Sequence, residues 1–241
     1  MSIIESVLTC QELGFDGFEF WKWDEIKAQQ VLEARESTGM PVSAFCTLFT
    51  SLTDPDQHDD YVIGLRKSIR MGKRLGCSQL ITQVGMEMPS MSRFEMRQHL
   101  IDGLAKCVPL LERANFVLLV EPLNPVDSPG PGYFLSCADE AFSIVEELNS
   151  PHIKVLFDVY HQQVTQGRLS QRIFNNLDKI GHFHAAGNPG RNEPVKGEIN
   201  YPFLIRELER QQYNGYIGLE YYPTESVKPS LSSFLDWIHS N

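Results

Sequence analysis

Phe116-Val117-Leu118-Leu119-Val120-Glu121 reads as a short strand that ends in a carboxylate. It is apolar almost without a break, the composition of a parallel strand covered on both faces. Three later runs share the form: Ile153-Lys154-Val155-Leu156-Phe157-Asp158, Ile180-Gly181-His182-Phe183-His184 and Tyr216-Ile217-Gly218-Leu219-Glu220. The closing residues lie 37, 26 and 36 positions apart, about one strand-plus-helix unit each. If such units close into one parallel barrel, all four side chains emerge at the same rim. Two glutamates, an aspartate and a histidine meeting there have the donor chemistry of a divalent-metal site. The glutamates also supply an acid/base pair.

Outward from these runs the alternation covers the chain. Helical spacing occupies 5–13, 24–38, 54–75, 91–114, 137–149, 170–177, 200–212 and 228–239. Strands are expected at 16–20, 41–47 and 78–83, followed by the four that end at Glu121, Asp158, His184 and Glu220. Gly14, Gly39 and Gly76 stop helices, Pro41 opens a strand, and Asn200 with Pro202 supplies an N-cap and a first-turn proline. Repeated βα units ending in chemically active residues on four successive strands favour a TM-type (β/α)8 barrel, the TIM barrel, over an open doubly wound sheet. An open sheet gathers its site where strand order reverses. The 241 residues form one expected domain over 1–241, because single barrels run to about 250 residues. Only seven strands are evident. Residues 1–4 are a remnant of the first strand, or the chain is a truncated version, or the barrel is open there. A missing strand leaves two unpaired edges, an association hazard or a dimer contact.

The net charge of −10 and the absence of a basic block weigh against nucleic acid and anionic membranes as partners. The five cysteines (Cys10, Cys46, Cys77, Cys107, Cys137) are odd in number, widely spaced and free of CxxC, which fits a reducing compartment. With no apolar run of about 18 residues and no basic, apolar leader at the start, a cytoplasmic protein is expected.

Each site residue has a plainer reading beside the chemical one. Asp158 could cap the turn that follows it, and His184 could be a core histidine. A carboxylate directly after an apolar run must nevertheless be paired or ligated. His182 shares a strand face with His184, one layer deeper. It either hydrogen-bonds a ligand carboxylate or packs in the core. Trp21 and Trp23 either wall a pocket or pack. Oxygen donors plus one imidazole, without thiolate, suit Mn2+ or Mg2+, with Co2+ and Zn2+ as further fits.

Several stretches resemble the sugar isomerase/epimerase, xylose isomerase-like TIM-barrel superfamily. They are Val120-Glu121-Pro122-Leu123-Asn124, Pro131-Gly132-Tyr133-Phe134-Leu135 and Asp158-Val159-Tyr160-His161-Gln162. The run from Ile180 through His182, His184, Asn188, Arg191 and Pro194, then Gly197-Glu198-Ile199-Asn200-Tyr201 and Gly218-Leu219-Glu220-Tyr221, is similar to the hydroxypyruvate isomerase family. Residues 14–20 add a weaker early match. The resemblance implies a divalent metal held by Glu121, Asp158, His184 and Glu220, with Glu121 and Glu220 as catalytic acid/base groups. It also implies that His161 contacts a substrate oxygen; otherwise that histidine caps or lies at the surface. Hydroxypyruvate isomerases usually have Gln where this chain has His184, and histidine there resembles the ketose 3-epimerases.

The chemistry expected is a carbonyl shift in a small hydroxy-oxo compound of the hydroxypyruvate/tartronate semialdehyde type. A cation polarises the carbonyl and stabilises the enediolate left by C–H deprotonation. Return of the proton to the neighbouring carbon isomerises; return to the opposite face of the same carbon epimerises. Arg191, in a loop rich in Gly and Pro, either clamps a substrate carboxylate or pairs with Glu193 or Glu198. Asn124 either donates to a substrate hydroxyl or shapes a turn. The expected partner is a sugar or oxo-acid, with homo-oligomers expected by analogy. A ketose 3-epimerase is the nearest alternative. A polyol dehydratase, a DNA-acting barrel and a non-catalytic sugar-binding barrel are more distant ones.

Overall fold

The computed structural model describes residues 2–127, 130 and 132–240. Met1, in the stretch 1–4 discussed above, and Pro131 lie outside them. Seven strands form one sheet: β1 (Phe18–Phe20), β2 (Val42–Cys46), β3 (Gln79–Thr82), β4 (Val117–Val120), β5 (Ile153–Asp158), β6 (Ile180–Ala185) and β7 (Ile217–Leu219). Every neighbouring pair is parallel and the spatial order is the chain order, so the sheet curls into a nearly closed TIM barrel. Around it run α1 (Ile3–Leu13), α2 (Glu25–Thr38), α3 (His58–Leu75), α4 (Arg93–Ala114), α5 (Ala138–Leu148), α6 (Val159–Thr165), α7 (Leu169–Asn175), α8 (Tyr201–Arg210) and α9 (Val227–Ser240). None of the described helices is long and apolar enough to cross a membrane.

Local chemistry sets most boundaries. Ser2 with Glu5 and Ser92 with Glu95 form capping boxes at the starts of α1 and α4, satisfying amides that the first turn leaves free. Asn200 caps α8 through Phe203 N–H, as the Asn-Pro signal predicts. Two expectations fail. Residues 2–4 are no strand remnant, because Ser2 is an N-cap and Ile3 and Ile4 are already helical. The helix expected over 54–75 begins as a single 3-10 turn, Pro55–Gln57, under an Asp54 cap, and turns into α3 only at His58. α6 was not anticipated; it follows β5 without a loop.

Side-chain alternation sorts the barrel into two cores. Leu118, Val120, Val155, Phe157 and Phe183 face the helices, while Ala44, Cys46, Ile81, Leu119 and Leu156 fill the interior. Full burial of each such large side chain stabilises by roughly 1.5–3 kcal/mol. The same parity carries Glu121 with Leu119, Asp158 with Leu156, His184 with His182 and Glu220 with Gly218 to the inner side of the rim.

Among the described residues no ladder joins β1 to β7. At that seam lies a cavity of about 410 Å³ lined by Phe15, Phe18, Tyr216, Ile217, Leu231 and Phe234. α1 and α9 flank it, tied by the Lys228 Nζ–Glu12 Oε2 pair at 2.6 Å.

Candidate active site

Register brings the four expected residues together. Asp158 lies opposite His184 in the β5–β6 ladder, and His184 opposite Gly218 in the β6–β7 ladder. Glu121 and Glu220 directly follow β4 and β7, where their N–H groups donate to Thr82 O and Ala185 O, each at 3.1 Å. One ligand-type atom from each of the four lies within 4.8 Å of the others. His184 Nδ1 is 2.8 Å from Glu220 Oε2 and 3.5 Å from Glu121 Oε1.

The pattern of satisfied and orphaned atoms is informative. Asp158 Oδ1 accepts from His161 N–H at 3.0 Å and so caps α6. Its Oδ2 has no hydrogen-bond partner. Nor have Glu121 Oε1 and Glu220 Oε1; the two ring nitrogens of His184 lack a well-directed hydrogen bond, although carboxylate oxygens of Glu220 and Glu19 lie 2.8 and 3.2 Å from them, and all of these atoms are buried. Orphaned buried polar atoms are rare and unfavourable. Here they cluster at one point, and three are carboxylate oxygens. An oxygen-rich set with one imidazole nitrogen fits a hard or borderline divalent cation.

The electrostatics agree. Burial pushes the Glu220 carboxyl above the usual carboxylate range, with Glu121 and Asp158 acting the same way against the opposing pull of His184. Burial disfavours charge on His184, but Glu19, Glu121 and Glu220 overcome it and raise its pKa well above 6.5. Glu220 and His184 are thus held in a pocket where negative charge is crowded.

Arg191 supplies positive charge there. Its Nη2 sits 3.0 Å from Glu220 Oε2 and 3.7 Å from Asp158 Oδ2, and its guanidinium lies over the Tyr160 ring, 5.5 Å from the centroid. The alternative pairing with Glu193 or Glu198 does not form. The Glu193 carboxylate accepts from Thr224 and Ser230, and Glu198 from Gln163 and Asn188. Arg191 has a left-handed backbone (φ 53°), a conformation that non-glycine residues hold mainly where surroundings impose it. Tyr222 N–H donating to Arg191 O at 2.8 Å and Asn192 Nδ2 donating to Tyr222 O at 2.9 Å help impose it.

Asn124 and His161 act as a pair. Asn124 Oδ1 accepts from Val126 and Asp127 N–H, and Nδ2 lies against Asp127 Oδ2 (3.0 Å) and His161 Nδ1 (2.6 Å). Its side chain is therefore spent on shaping the turn. Asn124 backbone N–H also donates to His161 Nδ1 at 3.1 Å. A neutral His161 consequently carries its proton on Nε2, which is buried, makes no hydrogen bond and lies 3.6 Å from Asp158 Oδ2. Trp21, 44% exposed, lines the cavity above the quartet. Trp23 is structural: its indole N–H donates to Cys46 O and its ring meets Phe45 edge-on.

The sequence reading missed Glu19. Its Oε2 accepts from His182 Nε2 at 2.9 Å, and its Oε1 lies 3.2 Å from His184 Nε2. His182 thus bonds a carboxylate, but that of Glu19 and not of a quartet member. An acid between two phenylalanines in a strand, at an inward position, was the available signal. The cavity at the quartet measures about 170 Å³ and is lined by Glu121, Tyr133, His161, His184, Arg191 and Glu220, among others. It is smaller than the ~300 Å³ that opens the range for drug-sized ligands.

A TIM barrel with three carboxylates and an imidazole gathered on four successive strand ends has the form of a barrel enzyme site for a small molecule. Residues 7–237 match the xylose isomerase-like TIM barrel family model, and the chain belongs to that family. It is 31% identical to the hydroxypyruvate isomerase of Escherichia coli (strain K12) over 177 residues, covering 73% of this chain and 68% of that protein. It is 29% identical to a 2-oxo-tetronate isomerase of Cupriavidus necator over 184 residues, covering 76% and 68%. Its structure is similar to one described as an AP endonuclease, family 2, from Brucella melitensis, with a TM-score of 0.87, 25% identity and coverage of 98% and 94%. The relatives make the protein an enzyme of the isomerase and epimerase kind.

Proposed function

We propose that the protein is a divalent-metal-dependent isomerase of a short hydroxy-oxo acid, moving the carbonyl between neighbouring carbons. The observation that carries the reading is the convergence of orphaned, buried ligand atoms of Glu121, Asp158, His184 and Glu220 beside one guanidinium. These four residues would hold the cation, which when bound supplies Lewis-acid polarisation of the substrate carbonyl. Arg191 pairs with the substrate carboxylate through its fork of donors. In doing so it exchanges part of its contact with Glu220. Both curated relatives are named for acids bearing a carboxylate next to a carbonyl, which is the group Arg191 would recognise. His161 donates its Nε2 proton to a substrate oxygen. Asn124 holds that histidine in place and stays out of direct contact.

Glu121 and Glu220 reach the substrate from separate strands and divide the proton transfers. For a hydroxypyruvate-type substrate, one carboxylate removes a proton from C3 and a carboxyl returns one to C2. The hydroxyl proton passes from the C3 oxygen to the C2 oxygen, so atoms and charge balance. The small cavity suits such a compact acid. Retention of a histidine at position 184 supports one second reading, ketose 3-epimerisation by the same glutamates. The DNA-acting alternative finds no support in a chain of net charge −10.

The test is turnover of hydroxypyruvate, 2-oxo-tetronate and a ketose panel with Mn2+, before and after chelation. Oxo-acid isomerisation that disappears on chelation and returns with metal is expected. Turnover of ketoses alone refutes the proposal in favour of the epimerase, and undiminished activity after complete chelation refutes the metal.

A further inference from the structure

We propose that Glu19 is the positioning residue for His184. From across the open seam, its carboxylate holds the Nε2 edge of the imidazole so that Nδ1 is presented to the cation site, and Gly218 is glycine to let that carboxylate pass. The inference rests on the metal reading above and adds a residue from the opposite edge of the sheet.

Glu19 stands on β1, whereas His182 and His184 stand on β6. Between them lies β7, which has no ladder to β1. The Glu19 side chain spans this break, with only 16% of its side chain exposed. Two groups face its carboxylate closely, His182 Nε2 donating to Oε2 at 2.9 Å and His184 Nε2 lying 3.2 Å from Oε1, and the Ser43 hydroxyl, 3.2 Å from Phe18 O, lies 3.4 Å from Oε2. A Cβ built on Gly218 would fall on Glu19 Oε1 and overlap it, and would also lie 3.0 Å from His184 Cδ2. Any side chain at 218 would therefore drive the carboxylate off the imidazole.

The two nitrogens of His184 face different carboxylates. Nδ1 looks toward Glu121 and Glu220, within the quartet. Nε2 looks only toward Glu19. An imidazole binds a cation through one nitrogen and keeps its proton on the other, and a carboxylate on the far side fixes that choice and the ring angle. Glu19 can do this without being a ligand, because its other oxygen is already satisfied by His182. Glu19, His182 and His184 by themselves also bring donor atoms close enough for an ion, and the experiment separates the two roles.

Mn2+ binding is measured by calorimetry on wild type, Glu19→Gln and Gly218→Ala, with melting of the metal-free proteins as a control for folding. Both variants are expected to weaken Mn2+ binding by roughly 10–100-fold, the usual effect of removing such a partner, at one ion per chain. In wild type loaded with Mg2+, nitrogen NMR of His184, assigned by loss of its signal in His184→Gln, is expected to show a protonated Nε2. If Glu19→Gln fails to fold, Gly218→Ala and the wild-type spectrum decide. Affinities within twofold of wild type in both folded variants, despite a lowered melting point, would reduce Glu19 to a seam filler and overturn the proposal. A deprotonated Nε2, or two ions per wild-type chain with one lost in Glu19→Gln, would overturn it as well. Absence of Mn2+ binding by wild type would instead bring down the metal reading, and this inference with it.

Discussion

Asp158 does two jobs with two oxygens, and substitution can separate them. Oδ1 caps α6 through His161 N–H, while Oδ2 is the orphan that faces the quartet. Asp158→Asn keeps a good cap and loses the charge; Asp158→Ala loses both. Without metal, the charge effects nearly cancel. Ligand atoms of Glu121, Glu220 and His184 lie within 4.8 Å of one on Asp158, and Arg191 is 3.7 Å from Oδ2; each such pair is roughly 3–5 kcal/mol at an effective dielectric of 20, so two repulsions by carboxylates are set against two attractions, to Arg191 and to the His184 imidazolium. Asp158→Asn should therefore leave the metal-free protein within about 1 kcal/mol of wild type. Asp158→Ala should fall about 1 kcal/mol below Asp158→Asn for the lost cap, which is ~2–4 °C in a chain of this size. Metal reverses the ranking. At 100 times its Kd, Mn2+ should add about 2.7 kcal/mol to wild type, or ~5–10 °C. If losing a ligand weakens binding ~100-fold, the top of the range for supporting residues, the same Mn2+ adds only ~0.4 kcal/mol to either variant. Thermal melts with and without Mn2+ give all six values. Equal Mn2+-induced shifts in wild type and Asp158→Asn would refute ligation by Oδ2, and equal melting of the two metal-free variants would refute the cap.

Arg191→Lys removes the planar fork but keeps the charge. The KM for an oxo-acid should rise ~10–100-fold, the worth of a charged hydrogen-bond pair, with a smaller change in kcat; an unchanged KM in steady-state kinetics would exclude the clamp. Glu193 is buried, which raises its pKa, but N–H and hydroxyl donors from Thr224 and Ser230 outweigh this and hold it at about 2, below its ordinary 4.5. Because the folded-state pKa is depressed, its contribution is full above pH 4.5 and is lost as pH falls toward 2. Acid unfolding followed by circular dichroism should accordingly be shallower over that window in Glu193→Gln, and identical slopes would contradict the assignment. Gly72→Ala places a Cβ 2.5 Å from the Phe116 ring and 2.6 Å from Cys77 O. Overpacking there should destabilise by about 1–3 kcal/mol, and an unchanged melting point would show that α3 stands further off.

The quartet was legible because one rule produced all four members: an inward parity position at the end of an apolar strand. The strand count and the open seam followed from the same alternation. What escaped the sequence depends on long-range choices. The Glu19–His182 contact spans 163 residues, and β1 is only three residues long, too short for its alternation to stand out. For Arg191 the sequence offered a substrate clamp and, as the alternative, a pair with the nearby acids Glu193 or Glu198. The turn sends its head inward instead, because both those carboxylates are claimed by groups from other segments. α6 was hidden because its seven residues begin with Val159 and Tyr160, poor helix formers that start a helix only because Asp158 caps them.

Seven strands are enough for this site because of where the gap falls. The four strand ends that carry the quartet belong to β4, β5, β6 and β7, and the three ladders joining them are intact. The ladder that is missing, β7 to β1, bounds this group at one edge. Its loss threatens only Glu220, on the edge strand, and the angle of His184. Both are restrained by other means: Glu220 through its N–H to Ala185 and its ion pair with Arg191, and His184 through Glu19 reaching in over Gly218. A gap between β5 and β6 would have separated Asp158 from His184 and left no site to hold. The barrel therefore tolerates an open seam at the position where side-chain contacts can replace a ladder, and the acid that makes those contacts had to come from β1.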